Sequence, residues 1–487
     1  MSAGRAGDGR ASFGRALLSL LAGTGGTVVL AFAAQAMLTR GMPVEAYGRL
    51  AALLAAVNLL TPVATLGAGW FWLQLFGREG WSGIRWIRPG LAVNAAAALA
   101  AAAALAGWVA WTAPAAEAPW RTASLLMPVL LAQGLAETVA ARLQLEERFS
   151  RLALWQAATQ AGRTLAVAAL LLAWRGDALG LHAVLAGYAA VGAAIAALSL
   201  ASLASLARGE LRLVGHAHPE PDTEGPRREP APGGATIDPR GHARADTPGL
   251  REVVVEATPY AAVTFLYLVY SQGIVAMVER LLGAEPAALY NVAFLLVQAA
   301  FVLPGVVYSK FLAGRLLRWW AHDRRTFDAA FHVGVAAHLA MGLAILAALG
   351  PFAPLWIAVL FGERYAAAGP ALALLSLAVP VRFVQHAYGS VLFAREHVRG
   401  KIVYMACAAA ASVVLNLLLV PRHGLAGAAI SAVAAESTLL VLYARAARRR
   451  VDGLRLSDSL RPSVLRAALR HLSAPDRGLA DSAERAR

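Results

Sequence analysis

The chain is poor in cysteine, lysine and charge. Its one cysteine, Cys407, lies inside an apolar run, which excludes a disulfide framework and a cysteine-based zinc or iron–sulfur site. Lys310 and Lys401 are the only lysines, so the net charge of +15 comes almost entirely from arginine. Charged residues make up 15% of the sequence and hydrophobic residues 59%, whereas soluble proteins carry about 25% charged residues. These proportions exclude an ordinary soluble enzyme.

The motifs of common soluble enzymes are also missing. The sequence contains no GxxxxGK[ST] phosphate loop, no HExxH zinc motif, no GxSxG nucleophile motif and no paired run of metal ligands. We therefore predict that the chain is not an enzyme and uses no cofactor. If it transports a substrate, the energy must come from an ion gradient or from removal of the product.

Long apolar runs are abundant. The mean hydropathy is +0.57, and runs of about 20 apolar residues recur throughout, each long enough to cross a hydrocarbon core about 30 Å thick. We predict an all-α, multi-pass membrane protein with about 12 spans. The first run resembles a signal peptide, but its apolar core is too long and a second span follows directly. The predicted spans are 16–38, 50–76, 90–111, 123–141, 154–174, 181–207, 253–278, 287–309, 329–349, 369–394, 402–420 and 425–443.

The distribution of positive charge predicts the orientation, because cytoplasmic loops carry an excess of Lys and Arg. With a cytoplasmic N-terminus, the outer loops hold few of the 44 basic residues, namely Arg40, Arg49, Arg121, Arg175, Arg280, Arg364 and Arg422. Both termini are therefore predicted to be cytoplasmic. The bilayer accounts for the basic charge, so no nucleic-acid partner is expected.

Residues 208–251 divide the spans into six and six. This segment is rich in proline and glycine (PEPDTEGPRREPAPGG) and has almost no large apolar residues. Such a composition cannot bury enough surface to fold, so we predict a disordered cytoplasmic linker. Residues 1–207 are then an N-terminal six-helix lobe, residues 252–443 a C-terminal six-helix lobe, and residues 444–487 a basic cytoplasmic tail.

Within the tail, residues 459–472 have the pattern of a basic amphipathic helix. Leu465, Leu469 and Leu472 share one face, whereas Arg466 and Arg470 fall largely elsewhere. Two interpretations stay open at this point. One is a helix that lies on the inner leaflet, and the other is a frayed, solvated tail.

Charged and amide side chains inside the spans are the first functional candidates, because a charge in lipid costs a few kcal/mol and usually faces protein or a hydrated cavity. Gln156, Gln160 and Arg163 recur at i, i+4 and i+7, on one face of the fifth span. Arg382 and His386 lie one turn apart in the tenth span. Two central arginines, one in each half, predict an anionic guest, because a guanidinium binds phosphate in a bidentate manner.

The seventh span carries a longer polar row. Its residues recur at steps of four, four, three and four, and they are Glu256, Tyr260, Thr264, Tyr267 and Ser271. A stripe of this kind does not suit lipid and predicts a hydrated cavity in which the tyrosines stack on sugar rings. Glu256 has a structural alternative, because a carboxylate in the first turn also suits the helix dipole.

The remaining candidates have structural alternatives as well. Gln298 in the eighth span and Glu137 in the fourth fit either a cavity or an interhelical hydrogen bond, and Glu137 also fits a snorkelling group. His386 is either a proton relay or a packing residue. Glu436 in the last span lines the cavity or pairs with Arg163 in a buried ion pair.

Three stretches, supported by a fourth, resemble the Wzx-type polysaccharide flippases of the MOP transporter superfamily. The likeness extends over about residues 12–445 and keeps the order and spacing of that family. It rests on LTRGMPVEAYGRLAALLAAVNLLTPVATLGAG (38–69), LFGERYAAAGPALALLSLAVP (360–380) and LNLLLVPRHGLAGAAISAVAAE (415–436), with LYNVAFLLVQAAFVLPGVVY (289–308). Two departures matter: the linker is longer than expected, and no site motif transfers residue by residue.

The resemblance implies two six-helix lobes that are related by a pseudo-two-fold axis and enclose a central cavity. It implies a flippase of the cytoplasmic (inner) membrane that moves a polyprenyl-diphosphate-linked oligosaccharide between leaflets for surface polysaccharide biosynthesis. On this hypothesis Arg163 and Arg382 neutralise the diphosphate. Polysaccharide polymerases and export proteins are the candidate protein partners.

Other functions remain open. An exporter of the MATE type, from the same superfamily, favours acidic residues deep in the N-terminal half, where Arg163 is the deepest charge. A lipid II flippase typically has two further C-terminal helices. An integral-membrane polymerase or ligase usually places catalytic residues in a large outer loop, whereas the predicted outer loops here are short. A scaffold does not explain arginines inside the membrane.

Overall fold

The computed structural model of the chain describes residues 25–113, 118–174, 178–211, 247–306, 323–391, 398–449 and 456–473. Over these ranges the regular secondary structure is helical, with no strand. Contacts divide the chain into two compact units, Met1–Arg280 and Leu281–Arg487. The start of the first predicted span and most of the predicted linker (212–246) lie outside the described residues.

The first unit is built from long apolar helices. They are α1 (25–41), α2 (Val44–Ala64), α3 (Ala68–Glu79), α4 (Ile87–Thr112), α5 (Pro119–Leu145), α6 (Phe149–Ala173), α7 (Leu181–Ala207), α8 (Leu250–Ser271) and α9 (Gly273–Leu282), with a 3-10 helix at Gly80–Trp86. An apolar core joins α3, α5, α7 and α8 and includes Phe71, Trp72, Leu203 and Val253. Helix α5 begins with Pro119, whose fixed φ suits the first helical position.

The second unit is also built from apolar helices. Its helices are α10 (Ala284–Val306), α11 (Arg324–Leu349), α12 (Ala353–Phe361), α13 (Gly369–Ser376), α14 (Ala378–Val391), α15 (Val398–Arg448), α16 (Leu456–Ser459) and α17 (Pro462–Ser473), with a 3-10 helix at Glu363–Ala368. Helices α11 and α14 meet through an edge-to-face contact between Phe331 and Tyr388, with ring centroids 5.2 Å apart.

Eight helical stretches of the described chain are long and apolar enough to cross a membrane. The predicted class, an all-helical multi-pass membrane protein, is therefore confirmed. Two of the stretches, Val44–Thr112 and Gly400–Arg448, each cover two of the predicted spans. The number of twelve spans stays a prediction.

The second predicted span, 50–76, is divided in the structure. Helix α2 ends at Ala64 and α3 begins at Ala68, because Leu66 and Gly67 have positive φ angles of 44° and 66°. A Cβ on Gly67 would lie 2.4 Å from the backbone nitrogen of Ala261, so only glycine permits this approach of α8.

Two other predicted spans are divided too. The seventh, 253–278, breaks after Ser271, and the tenth, 369–394, breaks after Ser376. The second break has a direct cause, since Pro380 cannot donate to the carbonyl of Ser376 and its ring clashes there. Between the last two predicted spans α15 turns at Gly424, which has a φ of 55° and a ψ of −135°.

The division by packing differs from the predicted division by chain order. The sequence predicts that residues 252–280 belong to the C-terminal lobe, but α8 packs against α2, α3 and α4 of the first unit. Along the chain, the boundary between the compact units therefore follows Arg280. The six-plus-six arrangement of lobes stays a prediction.

Candidate functional site

A polar cavity of about 380 Å³ lies inside the first unit. Helices α2, α5, α6 and α8 form most of its wall, and Gln272 follows directly on α8. Its lining residues are Asn58, Thr61, Ala132, Gln133, Ala136, Glu137, Ala140, Trp155, Gln156, Thr159, Gln160, Arg163, Ile195, Leu268 and Gln272. Five side-chain amides, two hydroxyls, one cation and one carboxylate thus surround one space.

Helix α6 supplies the predicted row. Gln156, Gln160 and Arg163 all line the cavity, as their common helix face requires. Thr159 joins them and donates its hydroxyl to the carbonyl of Gln156, 2.9 Å away. The row therefore presents donors and acceptors at successive depths along one wall.

Arg163 is the only cation among the residues that line this cavity, and it is half-buried. Within the described chain its guanidinium has no hydrogen-bond acceptor and no ion-pair partner. Glu137 lines the same space and is likewise without a hydrogen bond or an ion pair to any described residue. The cavity therefore offers one cation and one carboxylate to a guest.

Amides on other helices complete the wall, and the sequence reasoning missed them. Asn58 donates a hydrogen bond from its amide nitrogen to the amide oxygen of Gln272, at 2.8 Å. Thr61 donates its hydroxyl to the amide oxygen of Gln133, at 2.9 Å. These bonds fix the orientation of the amides of Asn58, Gln272 and Gln133. Helical periodicity does not predict these two pairs, because their members lie 214 and 72 positions apart in the sequence.

The polar row of the seventh span does not line this cavity. Leu268 and Gln272 occupy the wall instead. Glu256 is exposed and lies 3.8 Å from Arg78, and Tyr260 packs near Phe71, with ring centroids 6.2 Å apart.

The rest of that row makes contacts within its own stretch of chain. The Thr264 hydroxyl donates to the carbonyl of Tyr260 at 3.1 Å, and the Ser271 hydroxyl donates to the carbonyl of Tyr267 at 2.7 Å. The rings of Tyr267 and Tyr270 meet edge to face, 5.5 Å apart. A role of the row in sugar binding remains a prediction from periodicity.

In the second unit, Arg382 has a counter-charge of its own. Its guanidinium donates to the carboxylate of Glu436, and both side chains are buried. Gln385 donates to the other carboxylate oxygen at 3.1 Å, and the Arg382 guanidinium lies 4.7 Å from the ring centroid of Phe301. The sequence leaves open an ion pair between Glu436 and Arg163, but in the structure Glu436 pairs with Arg382. The proposed role of Arg382 in binding a diphosphate stays a prediction.

Gln298 and His386 also belong to the second unit, on α10 and α14. Both side chains are half-buried. Neither lines the polar cavity of the first unit. No group of three or more His, Cys, Asp or Glu suited to a metal ion occurs among the residues for which the structure gives positions.

A second buried ion pair, which the sequence reasoning missed, lies in the first unit. The Arg49 guanidinium donates to the Glu279 carboxylate at 2.7 Å, and their side chains are 6% and 11% exposed. It ties α2 to α9. Next to it along the chain, the Arg280 guanidinium lies 5.0 Å from the ring centroid of Trp111.

Known structures resemble most of the chain. A lipid II flippase, MurJ in an inward closed conformation, matches with a TM-score of 0.64 over 92% of this chain and 90% of that chain, at 10% identity. An inward-facing MATE family multidrug resistance transporter of the MOP superfamily matches with a TM-score of 0.59 over 87% and 94%, at 12% identity. The chain has the fold of MOP-superfamily transporters. The outward-facing MATE conformation matches with a TM-score of 0.54 over 90% and 95%, also at 12% identity.

At these identities the likeness to MOP transporters is a likeness of fold. The sequence itself matches no protein-family model, and a search of curated proteins finds no match. The predicted MOP-like fold is thus confirmed, and membership of the superfamily stays a prediction. The finer assignment to the Wzx type, and with it the substrate, depends on the residues of the MOP-type fold described above.

Proposed function

We propose that the chain is a flippase that moves a polyprenyl-diphosphate-linked oligosaccharide from the inner to the outer leaflet of the cytoplasmic membrane. Both termini are then cytoplasmic, and the product feeds the biosynthesis of a surface polysaccharide. Polymerase and export proteins acting on the same glycan are the expected neighbours.

One observation carries this proposal. Arg163, without an ion-pair partner among the described residues, lies in a cavity whose wall is rich in amides and hydroxyls. A guanidinium binds phosphate oxygens in a bidentate manner, and the surroundings of low dielectric constant strengthen the attraction. Amides and hydroxyls are the groups that hydrogen-bond to sugar hydroxyls. An anion attached to a sugar fits both parts of the wall.

The proposed mechanism is alternating access. The head group enters from the cytoplasmic side, Arg163 neutralises the phosphate charge, and the amides replace water around the sugar. The polyprenyl tail remains in the bilayer, since its exposure to water would cost about 0.8 kcal/mol for each methylene group. Release on the other side requires only that the cavity reopens there.

A MATE-like exporter is the second candidate, and Glu137 is the observation that favours it. This carboxylate lines the same cavity and has no ion-pair partner among the described residues. A carboxylate in a cavity of low dielectric constant attracts a cationic substrate for the same reason that Arg163 attracts an anion. The two candidates therefore differ in which charge contacts the guest.

The deciding experiment uses cells that lack this chain. The polyprenyl-linked oligosaccharide is isolated, and the leaflet that its sugars face is determined with a membrane-impermeant glycan label. Accumulation facing the cytoplasm supports the flippase. Accumulation of unpolymerised units facing outward points to a polymerase or ligase, and no accumulation points to the exporter.

A further inference from the structure

The C-terminal helices attach to one end of α11 at two points. The hydroxyl of Ser459 lies 2.8 Å from Nδ1 of His332, and the hydroxyl of Thr326 lies 2.9 Å from Nε2 of His471. Ser459 is fully buried, and Ala468 of α17 is 6% exposed. The tail therefore holds a defined position on α11.

The depth of this attachment follows from the length of α11. Its 26 residues span about 39 Å, whereas a hydrocarbon core is about 30 Å thick. The polar residues Arg324, Arg325, Asp328 and His332 stand at its beginning, and a mainly apolar stretch follows them. The first turns of α11 are thus expected at the level of the lipid head groups, on the cytoplasmic side by the distribution of positive charge. Both contacts of the tail fall in these turns.

The outer surface of the tail has the composition of an interfacial helix. Helix α17 contains no acidic residue, and Arg466 and Arg470 are exposed on it. Leu460 and Leu469 are 46% and 53% exposed although they neighbour Arg461 and Arg470. Exposed leucines next to arginines suit a boundary where a negatively charged surface meets an apolar layer.

We propose that α17 is a binding site for the head groups of anionic phospholipids and that it anchors the beginning of α11 to the inner membrane surface. The arginines attract the lipid phosphates, and the two leucines enter the layer beneath them. Arg461 lies 3.3 Å from Asp458, but its side chain is 66% exposed, and an ion pair of a solvent-exposed arginine is weak. This site is independent of the transported substrate.

The test follows amide hydrogen exchange of residues 456–473 in the full chain, embedded in nanodiscs. One set contains phosphatidylcholine alone, and the other contains phosphatidylcholine with phosphatidylglycerol. We expect exchange to slow by about tenfold or more in phosphatidylglycerol, since each basic residue near an anionic surface contributes to the attraction. The triple variant Arg461→Gln, Arg466→Gln and Arg470→Gln should lose this protection.

Two matched variants separate lipid binding from folding. Lysine at the same three positions retains the charge and should retain the protection. The variant Arg121→Gln, Arg364→Gln and Arg422→Gln removes equal charge from predicted outer loops and should behave as the unmodified chain. Equal exchange in both lipid mixtures, or full protection of the glutamine variant at positions 461, 466 and 470, overturns the proposal. Because the readout is not transport, its failure is distinct from failure of the proposed flippase.

Discussion

Arg382 on α14 and Glu436 on α15 form a buried ion pair across 54 positions of sequence. Each side chain is under 10% exposed, with 7% for the arginine and 6% for the glutamate. The pair thus joins two helices of the second unit with opposite charges, and a hydrogen bond from Gln385 adds to it.

We expect Glu436→Gln to destabilise the protein, because it leaves the Arg382 charge buried without its carboxylate. Loss of one partner of a buried pair costs about 3–5 kcal/mol. The measurement is thermal unfolding of the purified chain in detergent. The double variant Arg382→Met, Glu436→Leu should recover most of the loss, and Glu285→Gln, at an exposed position of the same unit, is the control. An unchanged midpoint for Glu436→Gln would contradict the expected contribution of the pair.

Arg163→Ala should reduce transport by about tenfold or more, since it removes charge-assisted hydrogen bonds to a phosphate. Lysine at this position should restore part of the rate, because it retains the charge but not the bidentate geometry. The measurement is outward appearance of the lipid-linked glycan in cells that contain each variant at equal abundance. Arg151→Ala is the control, because this arginine is exposed on the same helix and does not line the cavity. Equal rates for Arg163→Ala and Arg151→Ala would exclude Arg163 from the site.

Glu137→Gln separates the two candidate functions. For an anionic guest we expect unchanged or faster transport, because a like charge leaves the cavity wall while the hydrogen-bonding shape is retained. For a cationic guest we expect transport to be lost. Glycan translocation and export of a cationic dye, measured side by side on the variant, show which charge serves the substrate.

Asp323 caps α11 by accepting a hydrogen bond from the backbone nitrogen of Thr326 at 3.0 Å. Hydrogen bonds from Thr326 lower the pKa of this carboxyl below its ordinary value, and the nearby His471 adds to the effect. The folded state therefore favours the ionised form. Its contribution to stability is present above the ordinary carboxyl pKa and is lost as the pH falls through the lowered pKa.

Asp323→Ala should cost about 1 kcal/mol at neutral pH. Asp323→Asn should retain most of the stability that the cap provides, because asparagine also accepts the hydrogen bond. Its stability should lack the part that is lost at acid pH, because asparagine does not ionise. Thermal unfolding of the three proteins from neutral to acid pH tests both statements. Parallel pH profiles for the aspartate and asparagine forms would show that Asp323 does not titrate in this way.

The local part of the candidate site was predictable from sequence. Gln156, Gln160 and Arg163 share a cavity wall because the helical period alone places them on one face. The all-helical membrane class was predictable for a similar reason, since apolar runs of span length leave the backbone no other means of satisfying its hydrogen bonds. The breaks at Leu66 and Gly67 were not foreseen, because they depend on the approach of α8.

Only the tertiary structure decided which groups each helix face contacts. The row of Glu256, Tyr260, Thr264, Tyr267 and Ser271 lies along one helix, yet the cavity wall receives Leu268 and Gln272. Asn58 and Gln272 are 214 positions apart and meet because α2 packs against α8. Periodicity specifies which residues share a face, whereas the packing of apolar surfaces between helices specifies what that face meets. The sequence by itself therefore determined the helices and their polar rows, and packing determined which of those rows enclose a cavity.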